Sequence, residues 1–355
     1  MSRSLNEVVS RAWENHVLLS LMLELTYACE LKCQFCYNDR KRRGRILTFG
    51  KYEEILKDAR DLGCLYLTLT GGEPTLSKDF FRIGALAKVL RYAVRIKTHG
   101  SFMDSSLIER IKKEVDPVGL DVSIHGDNAE THDELTQIPG SFNRLLRHLQ
   151  LFSESGLSVT LRCPITRLNQ DQIEGILEIG DRHGMRVKFS PEITYRDDGD
   201  RSPRNLAPDR ESVNRYYQIM RQRASRGIEF VDEESTDENR ENLTTRYNCG
   251  AGTGSLTIDP YGEVLPCVAW RRGLGNIRET SLREIWASSL ELARVRRDNE
   301  AARKFHVDHQ DKIGGIVYCP GRAEQESGSP LTLYEDAVTM SVAVRAANPS
   351  EEEVS

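Results

Sequence analysis

The chain has 355 residues, 39% of them hydrophobic and 29% charged, a balance that fits a folded globular protein and excludes a disordered chain or a membrane bundle. Its 49 basic and 54 acidic side chains leave a net charge of -5, which excludes a general nucleic-acid binder, whose affinity rests on a basic surface. The longest apolar run near the start, residues 17–23, is far short of a membrane span and no small-residue cleavage site accompanies it, so no membrane partner and a cytoplasmic location are expected.

Residues 1–16 form a polar N-terminal segment. From 17 to about 192, short β-rich runs alternate with longer amphipathic ones, the pattern of repeated βα units around a parallel sheet. Six strands are expected, at 17–26, 64–70, 93–98, 118–125, 157–163 and 185–191. Thr48 is the expected cap of a helix ending before Gly63, Ser77 of a second, and Asn169 of one running to His183-Gly184. Six such units make an α/β fold of the partial (βα)6 TIM-barrel type. A loop at 196–208 and a helix from about 208 to 227 complete a barrel domain spanning 17–231. The acidic stretch 232–245 reads as a linker. A small irregular domain follows at 246–330, with Tyr261-Gly262 turning between short strands at 255–259 and 263–266. The tail, 331–355, is weakly patterned and is expected to be partly mobile.

Strand parity separates two faces. Ser20, Met22, Glu24 and Thr26 share one side of the first strand, and Leu19, Leu21, Leu23 and Leu25 the other. The contrast recurs in Thr68 and Thr70; Lys97 and His99; Asp121, Ser123 and His125; Thr160 and Arg162; and Lys188 and Ser190. With helices outside, the polar faces line the lumen, which predicts an open cavity for cofactor and substrate rather than a packed core. Cys64 and Cys163 fall on the packed side.

The other six of the eight cysteines are distributed unevenly. Cys29, Cys33 and Cys36 follow the first strand, while Cys249, Cys267 and Cys319 are spread through the last third. In a reducing compartment such clustering points to metal. Three thiolates can hold three irons of a 4Fe-4S cluster and leave the fourth iron open, whereas structural zinc requires four ligands. Gly71-Gly72-Glu73-Pro74 closes the second strand and, alone, reads as a turn.

The C-x3-C-x2-C spacing, with Phe35 before the last cysteine, together with the Gly-Gly-Glu-Pro run, resembles the radical S-adenosylmethionine superfamily over residues 17–192. The resemblance implies an enzyme whose open iron chelates S-adenosylmethionine, and whose Gly71, Gly72 and Glu73 hold the methionine amino group. It also implies cofactor contacts at Phe35, Ser123, Arg162 and Ser190, and at His99, where relatives often carry Asn. No catalytic residue is assigned beyond the cluster. Cys249, twelve residues, Gly262, four residues and Cys267, with Cys319-Pro320-Gly321 beyond, resemble a SPASM/twitch extension carrying auxiliary iron-sulfur clusters. Three cysteines allow one auxiliary cluster, with an open site or a non-cysteine ligand for which His306, Asp308, His309 and Asp311 are candidates; Ile316 stands where another cysteine is frequent.

Residues 23–29, Leu-Glu-Leu-Thr-Tyr-Ala-Cys, resemble the pyrroloquinoline quinone precursor-peptide enzymes. The resemblance implies a maturase that crosslinks a precursor peptide through carbon-carbon or thioether bonds, with a flavodoxin or ferredoxin as reductant and a separate leader-binding protein as a further partner. A small-molecule or haem-precursor transformation is the alternative, and an iron-sulfur electron carrier is the non-enzymatic one. The basic run Arg40-Lys41-Arg42-Arg43-Gly44-Arg45 reads as a solvated patch or as a dock for an acidic reductant or substrate.

Overall fold

The computed structural model describes residues 5–39, 41–226 and 245–347. The expected linker lies outside them, apart from Thr245. Six parallel strands form where the alternation predicts them: β1 (Ser20–Glu24), β2 (Tyr66–Thr70), β3 (Ala93–Thr98), β4 (Gly119–Ser123), β5 (Val159–Pro164) and β6 (Arg186–Ser190). Each pairs in parallel with the next. Parallel neighbours require crossovers, supplied by helices Phe49–Asp61, Phe80–Val89, Ser105–Glu114, Ala129–Thr136, Ser141–Ser155 and Ile173–Arg182.

The two-residue period decides what is buried. Leu21, Leu23, Leu67, Leu69, Val94, Ile96, Leu120, Val122 and Leu161 are all at 0% exposure beneath the helices. Each contributes roughly 2 kcal/mol of burial. Ser20, Met22, Thr68, Lys97, Ser123, Thr160, Arg162 and Lys188, on the alternate positions, stay partly open, whereas Glu24, Thr70, His99, Asp121 and His125 of the same expected face are buried. Cys64 and Cys163 are packed as expected, and burial pushes the Cys64 thiol up to about 12.

β1 does not pair with β6. Its free side is taken in parallel by β7 (Ser255–Ile258), from which β8 (Glu263–Leu265) and β9 (Gly275–Asn276) continue antiparallel, so one nine-stranded sheet runs from the barrel into the C-terminal segment. The Tyr261-Gly262 turn sits at the β7–β8 tip, where Asp259 Oδ1 accepts the N–H groups of Tyr261 and Glu263 at 2.8 and 2.9 Å.

Two local expectations give way for identifiable reasons. Ser77 ends the 3-10 turn Pro74–Leu76 instead of opening a helix, and Asp79 precedes Phe80–Val89. Asn169 does not cap its helix either, a place taken by Gln172. Its side chain accepts the Thr166 N–H at 2.6 Å and donates to the carbonyls of His125 and Pro164, tying together the chain beyond β4 and the end of β5. Of the expected tail, residues 331–347 are described. Helix Glu335–Ala347 packs along helix Arg210–Ser225, with Ala337 and Ala343 at 0% exposure. Its buried residues are Ala337, Met340, Ser341, Ala343 and Ala347, mostly small, without the large apolar stripe by which a helix is recognised in sequence.

Candidate functional site

The loop after β1 carries Cys29, Cys33 and Cys36, all partly exposed thiols outside any disulfide. Three neighbours hold it at the carboxyl ends of the strands. The N–H groups of Lys32 and Gln34 bond to the carbonyls of Thr136 and Leu135 at 2.9 and 3.0 Å. Phe35 meets His125 edge-on, with ring centroids 4.9 Å apart. From the turn after β2, Gly72 N–H donates to Thr26 O at 2.6 Å and Glu73 N–H to Ala28 O at 2.9 Å. A Cβ on Gly71 or Gly72 would fall 2.3 Å from the Thr26 or Ala28 carbonyl oxygen, so glycine is what permits the approach.

With those N–H groups occupied, the turn has carbonyl oxygens to offer a ligand, which suits an ammonium. The Glu73 carboxylate is only 2% exposed and already accepts from the Thr75 N–H and hydroxyl, the Thr98 hydroxyl and the His99 N–H. Its side chain therefore braces β3 against the turn. His99 Nδ1 accepts the Ser101 N–H at 3.1 Å, leaving Nε2 to donate to Glu30 at 3.0 Å. Ligand atoms of Cys29, Glu30 and His99 lie within 4.8 Å of one another, so His99 acts on the cluster loop itself.

Deeper on the lumenal face, Ser123 is in register with Arg162, and Arg162 with Lys188. Arg162 Nε lies 3.3 Å from Asp121, which also accepts from Arg95 at 3.0 Å. Burial lowers the Lys97 pKa, with Asp121 opposing the shift. Ser190 is exposed at the end of β6.

The open side of the barrel is spanned by Arg271, a residue for which the sequence offers no local signal. Its guanidinium donates to Glu24, at the end of β1, at 3.1 Å and to Asp197, beyond β6, at 2.7 Å. Glu24 is at 0% exposure and also accepts the hydroxyls of Tyr27 and Tyr37 at 3.0 and 3.1 Å. Asp197 N–H bonds to the Tyr37 carbonyl at 2.8 Å. Because Tyr37 directly follows Cys36, this network ties the first cysteine loop to the segment that carries Cys267. Arg42, within the basic run, pairs with Asp259 at 2.8 Å and lies over the Tyr261 ring, so it staples the β7–β8 tip rather than standing in solvent. Lys41, Arg43 and Arg45 are exposed.

Cys249, Cys267 and Cys319 form a second thiol set. Asn299 fixes Cys249 by accepting its N–H at 3.1 Å and donating to its carbonyl at 2.9 Å. Cys267 follows β8, and Cys319 precedes helix Pro320–Ser327. Burial, then the charge of Cys249, pushes the Cys267 thiol up to about 11; Cys319 is raised as well, by burial and then by Cys267, Glu192 and Cys249. Thiols that oppose one another's ionisation in this way are relieved by a bound cation. The donor sets fit an iron-sulfur site at each place. The expected fourth ligands are engaged elsewhere or face solvent: His306 Nε2 is 3.2 Å from Ile313 O, His309 Nδ1 is 2.8 Å from Phe305 O, and Asp308 and Asp311 are exposed. Ile316 is buried.

Residues 23–179 match the Radical SAM superfamily, and residues 249–308 match SPASM, an iron-sulfur cluster-binding domain. The AdoMet-dependent heme synthase of Methanosarcina barkeri is 26% identical over 331 residues, covering 87% of this chain and 93% of that protein. The PqqA peptide cyclase of Granulibacter bethesdensis is 27% identical over 76% of this chain and 74% of its own. Mycofactocin maturase MftC of Mycolicibacterium smegmatis is 27% identical, covering 84% and 77%. Among solved structures, anSMEcpe with bound AdoMet superposes with a TM-score of 0.70 at 16% identity, covering 93% of this chain and 96% of that one. Streptococcus suis SuiB bound to its precursor peptide SuiA gives 0.65 at 18%, covering 83% and 73%. A partial barrel with cysteines at its mouth, joined through one sheet to a second thiol set, is thus the fold of a known enzyme class: the chain belongs to the radical S-adenosylmethionine enzymes that carry a SPASM domain, and its cofactors are a 4Fe-4S cluster, S-adenosylmethionine and auxiliary iron-sulfur.

Proposed function

We propose that this radical S-adenosylmethionine enzyme modifies a ribosomally made precursor peptide by installing a carbon-carbon or thioether crosslink. The observation that carries the reading is the kinship with PqqA peptide cyclase and mycofactocin maturase, each over about three quarters or more of this chain. In this reading Cys29, Cys33 and Cys36 hold the first cluster, and the carbonyls of the Gly71-Gly72-Glu73 turn receive the methionine ammonium. Phe35 shields the site on the His125 side, His99 orients Cys29, and Ser123, Arg162 and Ser190 serve the carboxylate and ribose. When bound, the cluster and S-adenosylmethionine supply a 5'-deoxyadenosyl radical that abstracts a substrate hydrogen. The chain's own share is to orient the substrate in the polar lumen and to exclude water. Cys249, Cys267 and Cys319 hold one auxiliary cluster, which serves the substrate step.

Exposed Lys41, Arg43 and Arg45 beside the cysteine loop suit an acidic flavodoxin or ferredoxin, and a separate protein presents the leader. Co-expression with a short peptide encoded beside the gene, followed by mass spectrometry, tests the reading. A mass lower by two hydrogens per crosslink supports it, and an unaltered peptide refutes it.

A second reading, a carboxylate-bearing haem precursor as substrate, is favoured by the 93% coverage of the heme synthase. It is also favoured by Arg95, Lys97, Arg162 and Lys188 on strands that contribute Asp121 as their lumenal carboxylate at mid-depth. Product formation from a porphyrin carboxylate would select it.

A further inference from the structure

Beyond β6 the chain delivers a carboxylate to the second thiol set from the barrel side. Glu192 Oε1 accepts the Tyr334 hydroxyl at 3.4 Å, and the Tyr334 ring packs beside that of Tyr318, the chain neighbour of Cys319, with centroids 5.9 Å apart. Tyr334 therefore links the Glu192 carboxylate to the segment that carries Cys319. Glu192 is not the counter-ion of the nearby arginines by hydrogen bonding. Arg204 is bound to Asp336 through both terminal nitrogens, at 2.6 and 2.8 Å, and Arg322 Nη2 donates to the same Asp336 at 2.9 Å.

Arg322 adds an independent observation. It is 2% exposed, its guanidinium lies 6.0 Å from the Tyr334 ring centroid, and its Nε and Nη1 atoms are buried with no hydrogen-bond partner. Buried N–H groups of a cation are costly unless an anion meets them. Three thiolates also leave one iron of a cubane without a protein ligand.

We propose that Glu192 is the fourth protein ligand of the auxiliary cluster, completing Cys249, Cys267 and Cys319, with the unpartnered N–H groups of Arg322 facing the anionic centre. The inference rests on the auxiliary-cluster reading above and deepens it. An iron ligated by Glu192 is closed to substrate, so the auxiliary site takes part in electron transfer without coordinating the substrate. It also makes the barrel and the C-terminal segment joint owners of one cluster, since Glu192 follows β6 and the cysteines lie beyond residue 245.

The test uses the full chain with Cys29, Cys33 and Cys36 replaced by Ala, so that the auxiliary site alone is loaded. After anaerobic reconstitution and dithionite reduction, electron paramagnetic resonance spectra are recorded with and without cyanide, a probe for an open iron. With Glu192 present the spectrum is expected to be unchanged by cyanide, while the Glu192→Gln and Glu192→Ala versions become cyanide-sensitive at undiminished iron content. Glu192→Cys should restore insensitivity with a shifted midpoint potential. A cyanide response with Glu192 in place overturns the proposal and needs no variant to be seen. Failure of that chain to bind iron at all would instead sink the auxiliary-cluster reading.

Discussion

Replacing Arg271 with Met removes the cation that spans the open side of the barrel. Glu24 is at 0% exposure, and after the change its carboxylate keeps the Tyr27 and Tyr37 hydroxyls but loses its opposite charge. Breaking one partner of a buried ion pair costs about 3–5 kcal/mol. The Arg271 side chain keeps 15% exposure, which lets water reach the vacated space and places the expected loss at the lower end, about 3 kcal/mol. Glu24→Gln removes one of the two stranded charges, the other being Asp197, so the double variant should be more stable than the sum of the two single losses by at least about 1 kcal/mol. Urea unfolding of the metal-free chain, followed by circular dichroism for all four proteins, measures the cycle. Strict additivity, or a loss below about 1 kcal/mol for Arg271→Met, would show that the network does not hold the barrel together.

Gly72→Ala would place a Cβ 2.3 Å from the Ala28 carbonyl oxygen, so it should displace the cysteine loop and lower both iron incorporation and S-adenosylmethionine binding, read by iron analysis and calorimetry. Glu73→Ala strands the Thr75, Thr98 and His99 donors and should reduce stability as well as cofactor binding, whereas affinity lost at unchanged stability would contradict the bracing role. Acid should destabilise the fold between pH 6.5 and about 4, because burial holds His132 down to about 4 and the unfolded chain binds the proton first. The loss from His132 approaches about 3 kcal/mol below that window, and a flat stability profile across it, measured by urea midpoints on the metal-free chain, would refute the assignment. Replacing Cys249, Cys267 and Cys319 by Ala should cut iron from roughly eight atoms to four while 5'-deoxyadenosine is still formed, and wild type holding only about four would remove the auxiliary cluster.

What could be read in advance follows from the range of each signal. Strand parity is a local property, so the apolar face of β1 to β5 was legible residue by residue, whereas Glu24, Thr70 and Asp121 on the polar face are buried by partners that parity does not reveal. Cysteine spacing is local too, and it placed the loop of Cys29, Cys33 and Cys36. The pairing of β7 with β1 was not legible, because it joins residues more than 230 apart, such as Leu21 and Leu256, with no mark in either segment. Arg271 and Glu192 escaped for the same reason, each being an ordinary charged residue until Glu24, Asp197 or Tyr334 is brought beside it. Ser77 and Asn169 were misplaced as caps because their side chains serve other partners, and the helix at 335–347 carries alanines where an apolar stripe was sought.

The first cysteine set bears the central claim most directly. Wild-type protein reconstituted anaerobically and given dithionite and S-adenosylmethionine should yield 5'-deoxyadenosine and methionine. The chain with Cys29, Cys33 and Cys36 all replaced by Ala should remain folded by circular dichroism and yield none. Continued formation of 5'-deoxyadenosine by that folded variant would contradict the account.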